Sequence, residues 1–458
     1  MRRGDRLPMA VCWAVTAPVL LGLAVLACSP TPPPATPADS VPAMDRIADE
    51  YVRLVLELGV HDEGYVDAYY GPEELREAAE ASPRSIEEIA RRATELAGEA
   101  AGTTVPAGAA DAELLRLRRG FLAAQLSAVA ARARILGGEG MGFDAEARAL
   151  YDAEAPHHGE AHYEAILEEI DRVVPGEGPL AERWAAWRER FVVPPERLAA
   201  VFDGAIAECR RRTAERVELP EGEGFRVEYV TDKPWSGYNW YQGGYQSLIQ
   251  VNTDLPIHID RAVDLACHEG YPGHHAYNAL LEENLVRDRG WAEYSVYPLY
   301  SPQSLIAEGT ANFGIRVAFP GEERAAFERD VLFPLAGLDP AQAADYYRVA
   351  ASLEKLSYAG NEAARRYLDG EIDRDAAERW LTRFTLSPPD RAAQRVRFFD
   401  AYRSYVINYN LGQDVVRRWV EAHGGTADRP ERRWELFEDL LTTPRVPSTL
   451  VAETAAAE

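Results

Sequence analysis

His268-Glu269-Gly270-Tyr271-Pro272-Gly273-His274-His275 gathers three of the chain's nine histidines within eight residues and sets a carboxylate directly after the first. Imidazoles beside a carboxylate suit one task above others: holding a divalent metal next to a general base that can deprotonate a water on it. The spacing is not the usual one. H-E-x-x-H puts two imidazoles on one helix face, whereas here the fifth position is Pro272 and the next histidines come six and seven residues after His268. At about 100° per residue, His274 would point well away from His268 on a regular helix. His275 would return to the same face but sit roughly 10 Å further along the axis. Pro272 removes a backbone donor and clashes with the His268 carbonyl, and Gly273 tolerates a tight backbone. The Pro-Gly pair therefore predicts a local break that swings His274 back beside His268, with His275 as the alternative ligand.

A third ligand is expected at Glu308, in Leu305-Ile306-Ala307-Glu308-Gly309-Thr310-Ala311-Asn312-Phe313. This reads as an apolar helix with one embedded acid, and a carboxylate among apolar neighbours is unfavourable unless paired or bound to metal. Two histidines and a glutamate, with the fourth position left to water, form a known catalytic zinc set. Asn312, one turn after Glu308, and Asp264, one turn before His268, are placed to orient a ligand histidine. The expected cofactor is one Zn2+, with another divalent ion as the alternative.

These residues carry a resemblance. Gln250-Val251-Asn252-Thr253, then the His268–His275 run, then Ala307-Glu308-Gly309 resemble the bacterial family called domain of unknown function 885, whose members look like mostly helical zinc metallopeptidases of the gluzincin type. The likeness extends in layout over roughly residues 45 to 440, with the specific signal in the motifs. It implies metal-dependent peptide hydrolysis, with His268, His274 and Glu308 as ligands and Glu269 as general base. The chain departs from the family at Thr310, where Trp more often follows Glu-Gly. In gluzincins a strand before the metal helix binds extended substrate by edge pairing, which marks Gly243, Gly244 and Asn252 as candidate substrate contacts. The resemblance also directs the search for an oxyanion donor to the C-terminal region. There Tyr402, Tyr405 and Tyr409 share one face of an expected helix, and Tyr405, Tyr409 and Arg403 are the candidates.

A second histidine group, His157, His158 and His162, lies between Pro156 and the start of a helix expected over 160 to 173. Pro156 and Gly159 mark a loop, so this reads as a solvated helix start.

The elements that must position the site follow from the rest of the chain. Ala, Leu, Glu and Arg with helical periodicity fill residues 44 to 218, including helices from Asp111 to about 136 and from Pro195 to about Val217. Phe225–Val230 alternates like a strand, with Ser247–Val251 as its partner, around a Gly- and aromatic-rich segment from Trp235 to Tyr245. Helices resume after the metal motif to about 441. The fold expected is mainly α: a helical N-terminal bundle over 44–218, then a gluzincin-like helical catalytic domain over 219–446. That domain carries a small antiparallel sheet before the metal-binding helix, and 447–458 forms a flexible tail.

The N-terminus has Arg2, Arg3 and Arg6, an apolar stretch to Ala27, and Val25-Leu26-Ala27-Cys28 at its end. This reads as a secretory signal over 1–27 with a lipobox, so Cys28 is the expected lipidation site and the membrane is met only through that anchor. Residues 28–43, rich in Pro, Thr and Ala, read as a tether. Ser29 after the cysteine favours the outer membrane, facing the periplasm, in a Gram-negative host. Beyond the signal, Cys209 and Cys267 make no disulfide framework. A formal charge of -25 excludes nucleic acid as a partner, since phosphates demand basic patches; a peptide substrate is expected. Two other classes use the same residues: a metal-dependent amidase or esterase on a non-peptide substrate, and a non-catalytic lipoprotein that binds metal or peptide. A substrate panel separates the first from a peptidase, and a closed four-ligand site would mark the second.

Overall fold

The computed structural model describes residues 37–458 apart from 107 and 110, so the signal over 1–27, Cys28 and the first part of the tether lie outside the described residues. The described chain is mainly α-helical. Its first helix (α1, Pro37–His61) begins inside the expected tether. The reason is the stripe Met44, Ile47, Tyr51, Val55 and Leu58, at three- and four-residue spacing and buried, whose periodicity carries the helix back beyond Ala43. A short strand (β1, Val66–Tyr69) follows. Two long helices (α2, Ile86–Gly102; α3, Ala112–Leu136) then pack on each other. Ser85 and Glu88 cap α2 reciprocally, each side chain accepting the other's backbone N–H at 3.3 Å. Next come α4 (Phe143–Tyr151) and α5 (Leu198–Ala214); the helix expected from 195 has a 3-10 turn over Pro195–Arg197 as its first part. The helix expected over 160 to 173 spans Glu160–Asp171.

The sheet ahead of the metal motif has three strands, β2 (Gly224–Val230), β3 (Gly237–Gly243) and β4 (Gln246–Asn252), in the order β2-β4-β3. It is mixed, not antiparallel. The expected partners β2 and β4 do pair, but parallel, with Gly224 opposite Gln246 and Val230 opposite Asn252. The aromatic segment between them forms the third strand, which turns tightly at Gly243-Gly244 and takes the antiparallel place beside β4. A chain that spends its reversal on β3 must return β4 in the same direction as β2.

After the sheet, α6 (Asp260–Leu265) leads into the metal motif and α7 (His274–Leu281) leaves it. A strand (β5, Val296–Pro298) pairs antiparallel with β1. The apolar helix α8 (Pro302–Ala318) is buried along nearly its whole length. It crosses α10 (Ile407–Ala422), which follows α9 (Pro389–Tyr402). At the crossing two glycines meet: a Cβ on Gly309 would fall 2.5 Å from the Gly412 carbonyl carbon. The segment expected as a flexible tail is instead a helix (α11, Pro447–Ala457). Leu450 is buried, and Glu453 accepts the Trp419 indole N–H at 2.6 Å, so an apolar anchor and a hydrogen bond hold α11 on α10.

Buried residues from both stretches, among them Tyr51, Phe121 and Phe202 before residue 218 and Val263, Phe313 and Phe437 after it, belong to one core. A fully buried ion pair, Arg118 to Glu293 at 2.6 Å, crosses the same boundary. No described helix is long and apolar enough to cross a membrane.

Candidate metal centre

Helix α6 widens into one broad turn over residues 266–270, after which Tyr271-Pro272-Gly273 reverses the chain and α7 begins at His274. The Gly273 N–H donates to the Cys267 carbonyl at 2.9 Å. The backbone here folds so closely on itself that a Cβ on Gly273 would lie 1.9 Å from the His268 carbonyl oxygen; only glycine fits. The reversal sets the His268 and His274 rings edge to face, centroids 4.7 Å apart. His275 turns the other way. It is fully buried, with Nδ1 2.9 Å from the Ser247 hydroxyl and Nε2 2.9 Å from Glu223. As the alternative ligand it is corrected, because the step of about 100° between neighbours on a helix turns adjacent side chains apart.

Glu308 reaches the histidine pair from α8. Its Oε2 lies 3.2 Å from His268 Nε2 and 3.8 Å from His274 Nε2. With metal–nitrogen bonds of 2.0–2.1 Å, tetrahedral zinc spaces its ligand atoms about 3.4 Å apart. These contacts have the size of tetrahedron edges. Oε2 is buried and meets no polar group among the described residues besides these two rings, while Oε1 accepts the Tyr405 hydroxyl at 2.8 Å. Asn312, on the same helix, sets the tautomer of His268: its Nδ2 donates to the Tyr409 carbonyl at 3.1 Å, which leaves Oδ1 to accept from His268 Nδ1 at 3.2 Å. Nε2 of His268 then faces Glu308, where it can carry either a proton or a metal.

Glu269 also comes close, since donors of His268, Glu269 and His274 lie within 4.8 Å of one another. Two carboxylates therefore compete for the third ligand place. Glu308 fits it better, because its Oε2 touches both histidines and lacks another partner. The Glu269 carboxylate lines the open cavity and has no hydrogen-bond partner among the described residues; its backbone carbonyl is held by Asn239 Nδ2 at 2.7 Å. Burial pushes the Glu269 carboxyl up, with His268 and His274 holding it back and Glu308 adding to the rise. Burial also acts against charge on Glu308, but the hydrogen bonds from His268 and His274 win and hold it well below the usual range. For His268, burial lowers the pKa, and the Glu308 hydrogen bond with the Glu269 charge outweighs it, raising the ring to about 9.

The other expected residues separate. Tyr405 and Tyr409 both line the cavity, but not on one helix, since α9 ends at Tyr402 and a 3-10 turn over Arg403–Val406 precedes α10. Tyr405 is spent on Glu308; the Tyr409 hydroxyl has no partner among the described residues and faces the cavity. Arg403 is corrected: its guanidinium pairs with Glu146 of α4 at 2.7 Å, away from the cavity. Asp264 is corrected as an orienting residue, for it pairs with Arg261 at 3.2 Å and Arg324 at 2.8 Å instead of His268. Gly243 and Gly244 are corrected as substrate contacts. They make the β3–β4 turn at positive φ, and Gly244 N–H binds Glu282 at 3.1 Å. Asn252 is likewise turned inward, donating to the Lys233 and Trp235 carbonyls at 2.9 and 2.8 Å. It fixes the loop whose next residues, Ser236 to Asn239, do line the cavity.

Two groups escape sequence reasoning. Asp67 of β1 lines the cavity and accepts the Tyr238 hydroxyl. Burial, opposed by His274 and reinforced by Glu308 and Glu269, raises its carboxyl to about 7. Its only signal is the aromatic run from Tyr65 to Tyr70, which reads as readily as packing. Glu223 is the second: it accepts from Tyr271 and His275 and pairs with Arg210 at 2.6 Å. It thereby clamps the reversed segment from behind. The second histidine group does not converge: His158 and His162 stack on each other at 4.2 Å, while His157 stands with Asp144 and Glu154, their donor atoms within 4.8 Å of one another. His157 sits 3.0 Å from Asp144 with more than half its side chain exposed. The cavity over the metal motif has a volume of about 1380 Å³.

No family model matches the chain, and no curated protein matches it. Among solved structures, the chain is similar to a protein from Colwellia psychrerythraea described as a candidate lipoprotein. The two are 17% identical, with a TM-score of 0.49, over 81% of this chain and 69% of that one.

Proposed function

We propose that this chain is a zinc-dependent peptidase of the domain of unknown function 885 type, exported and anchored through lipid on Cys28. The observation that carries the reading is the convergence of His268 Nε2, His274 Nε2 and the orphaned Glu308 Oε2, beside the unpaired carboxylate of Glu269. Two imidazoles and a carboxylate are a donor set that fits zinc. A divalent ion held there supplies Lewis acidity, lowering the pKa of water and polarising a carbonyl.

The chain's own residues supply the rest. Glu269, raised by burial and adjacent to the ligands, takes the proton of the attacking water and returns it to the leaving amine. Tyr409, with its hydroxyl free toward the cavity, donates to the carbonyl oxygen as negative charge develops. Tyr405 and Asn312 hold Glu308 and His268 in place. A peptide is favoured as substrate because β3 is an edge of its sheet and its first residues line the cavity. A free strand edge pairs with an extended main chain.

Metal analysis of the purified protein and peptide-library cleavage test this reading together. Wild type is expected to hold one zinc and cleave; His268→Ala and Glu308→Ala are expected to lose the metal. Glu269→Gln is expected to keep the metal and lose at least about 100-fold in kcat, the usual size of a general-base contribution. Full turnover by Glu269→Gln, or metal content indifferent to His268→Ala, would overturn it.

A further inference from the structure

One wall of the cavity is cationic. Arg391 and Arg395 stand four residues apart on α9, so they share a face, and both line the cavity. Neither guanidinium has a hydrogen bond or ion pair with any described residue. The contrast is with Arg261, Arg316, Arg324 and Arg417 in the same cavity, each of which holds a carboxylate. The chain carries 74 acidic side chains, yet none of those among the described residues pairs with either guanidinium. Arg395 is held by ring faces instead, its Cζ 5.0 Å from the Phe398 centroid, 5.7 Å from Phe399 and 5.9 Å from Tyr409. Burial pushes both guanidinium pKa values down, Arg391 to about 10 with Arg261 and Arg188 adding to the effect; both remain protonated at neutral pH.

Half-burying two unpaired cations in one cavity wall is unfavourable, and an anion delivered to that wall relieves it. Their place fixes which anion. Tyr409 packs on Arg395 and, 5.9 Å away, on Tyr405, which binds Glu308. Through Tyr409 and Tyr405 the cationic wall stands two aromatic rings from the candidate metal centre, within the reach of a few residues of extended peptide, at about 3.3 Å per residue.

We infer that Arg391 and Arg395 form a carboxylate subsite that grips an anionic group of the peptide close to the scissile bond. The C-terminal α-carboxylate and an acidic side chain share this chemistry; guanidinium forks bind either in bidentate fashion. The inference rests on the peptidase reading and adds the substrate class.

Binding to the full-length Glu269→Gln protein, measured by calorimetry, separates the two claims. The probes are acetyl-tetra-alanine as the free acid, the same peptide as its C-terminal amide, and an amide with one alanine replaced by glutamate. The free acid is expected to bind about 10- to 100-fold more tightly than the plain amide, the yield of one or two charge-assisted pairs. Arg391→Gln and Arg395→Gln are each expected to shrink that ratio severalfold; Arg391→Gln is expected to leave Tm unchanged, because no internal partner is lost, whereas Arg395→Gln also gives up its ring contacts. If the glutamate peptide recovers the affinity, the subsite reads a side chain, and the inference stands. Equal binding of all three peptides, or ratios untouched in both arginine variants, overturns the inference; wild-type cleavage of the peptides in that case leaves the peptidase reading intact. Absence of binding by all three probes overturns the inference, and absence of cleavage by wild type as well removes the peptidase reading.

Discussion

On the proposed reading, a proton and a metal would compete for one lone pair at His268. Without metal, Glu308 keeps the ring protonated up to a pKa of about 9. Because this value exceeds that of the unfolded chain, about 6.5, the pair's contribution to stability is full below pH 6.5 and fades as pH rises through 9. Zinc must expel that proton. Calorimetry at pH 7.5 in buffers of different ionisation enthalpy is expected to record about one proton released per metal bound, and affinity is expected to rise with pH until about 9. No proton release would mean that His268 is not a ligand. The two tyrosines divide by the same logic of contact. Tyr409→Phe is expected to cut kcat by roughly 100-fold, as for loss of an oxyanion donor, with metal affinity unchanged. Tyr405→Phe frees Glu308 and is expected to weaken metal by about 10-fold or more. Identical effects of both variants would erase the distinction. The sequence discloses His268, Glu269, Glu308 and Asn312 because rare residue types fall at tell-tale spacings on two helices. Asp67 stays hidden, since its partner Tyr238 is 171 residues away.

Helix α8 brings Glu308 to the histidines, and α10 brings Tyr409 and backs Tyr405; their distance is set by Gly309 against Gly412. Gly309→Ala forces the helices apart, with an expected loss of about 1–3 kcal/mol from overpacking and a weakened metal site through the Tyr405–Glu308 bond. Denaturant melts and metal titration of the variant check both; wild-type values in each would show that the crossing has slack. The strands were legible as strands, by alternation, but not their directions. Pairing direction depends on how the chain spends its turns, and the Gly- and aromatic-rich segment of β3 gave no strand signal because its polar and apolar residues do not alternate cleanly and glycines bound it. The break at Pro272-Gly273 was legible because backbone chemistry alone demands it.

On the scale of the whole molecule, the stretches 44–218 and 219–446 share a core, the β1–β5 pair and the Arg118–Glu293 ion pair. Residues 219–446 produced alone would leave Glu293 a buried acid without its cation, and Arg403 without Glu146, losses of several kcal/mol. The fragment is expected to lack cooperative unfolding and metal binding by circular dichroism and metal titration. A folded, metal-binding fragment would contradict this. The joint core was not visible in the sequence because periodicity reports which face of a helix is buried, never against what. A last consequence concerns synthesis. The cavity takes Asp67 from the first strand and Tyr409 from near the chain's end, and Ser404 donates its hydroxyl to Glu146 at 2.6 Å across 258 residues. Such distant pairings form late. A nascent chain carries both histidines long before the tyrosines exist, so the cavity is completed only once Tyr409 has been made.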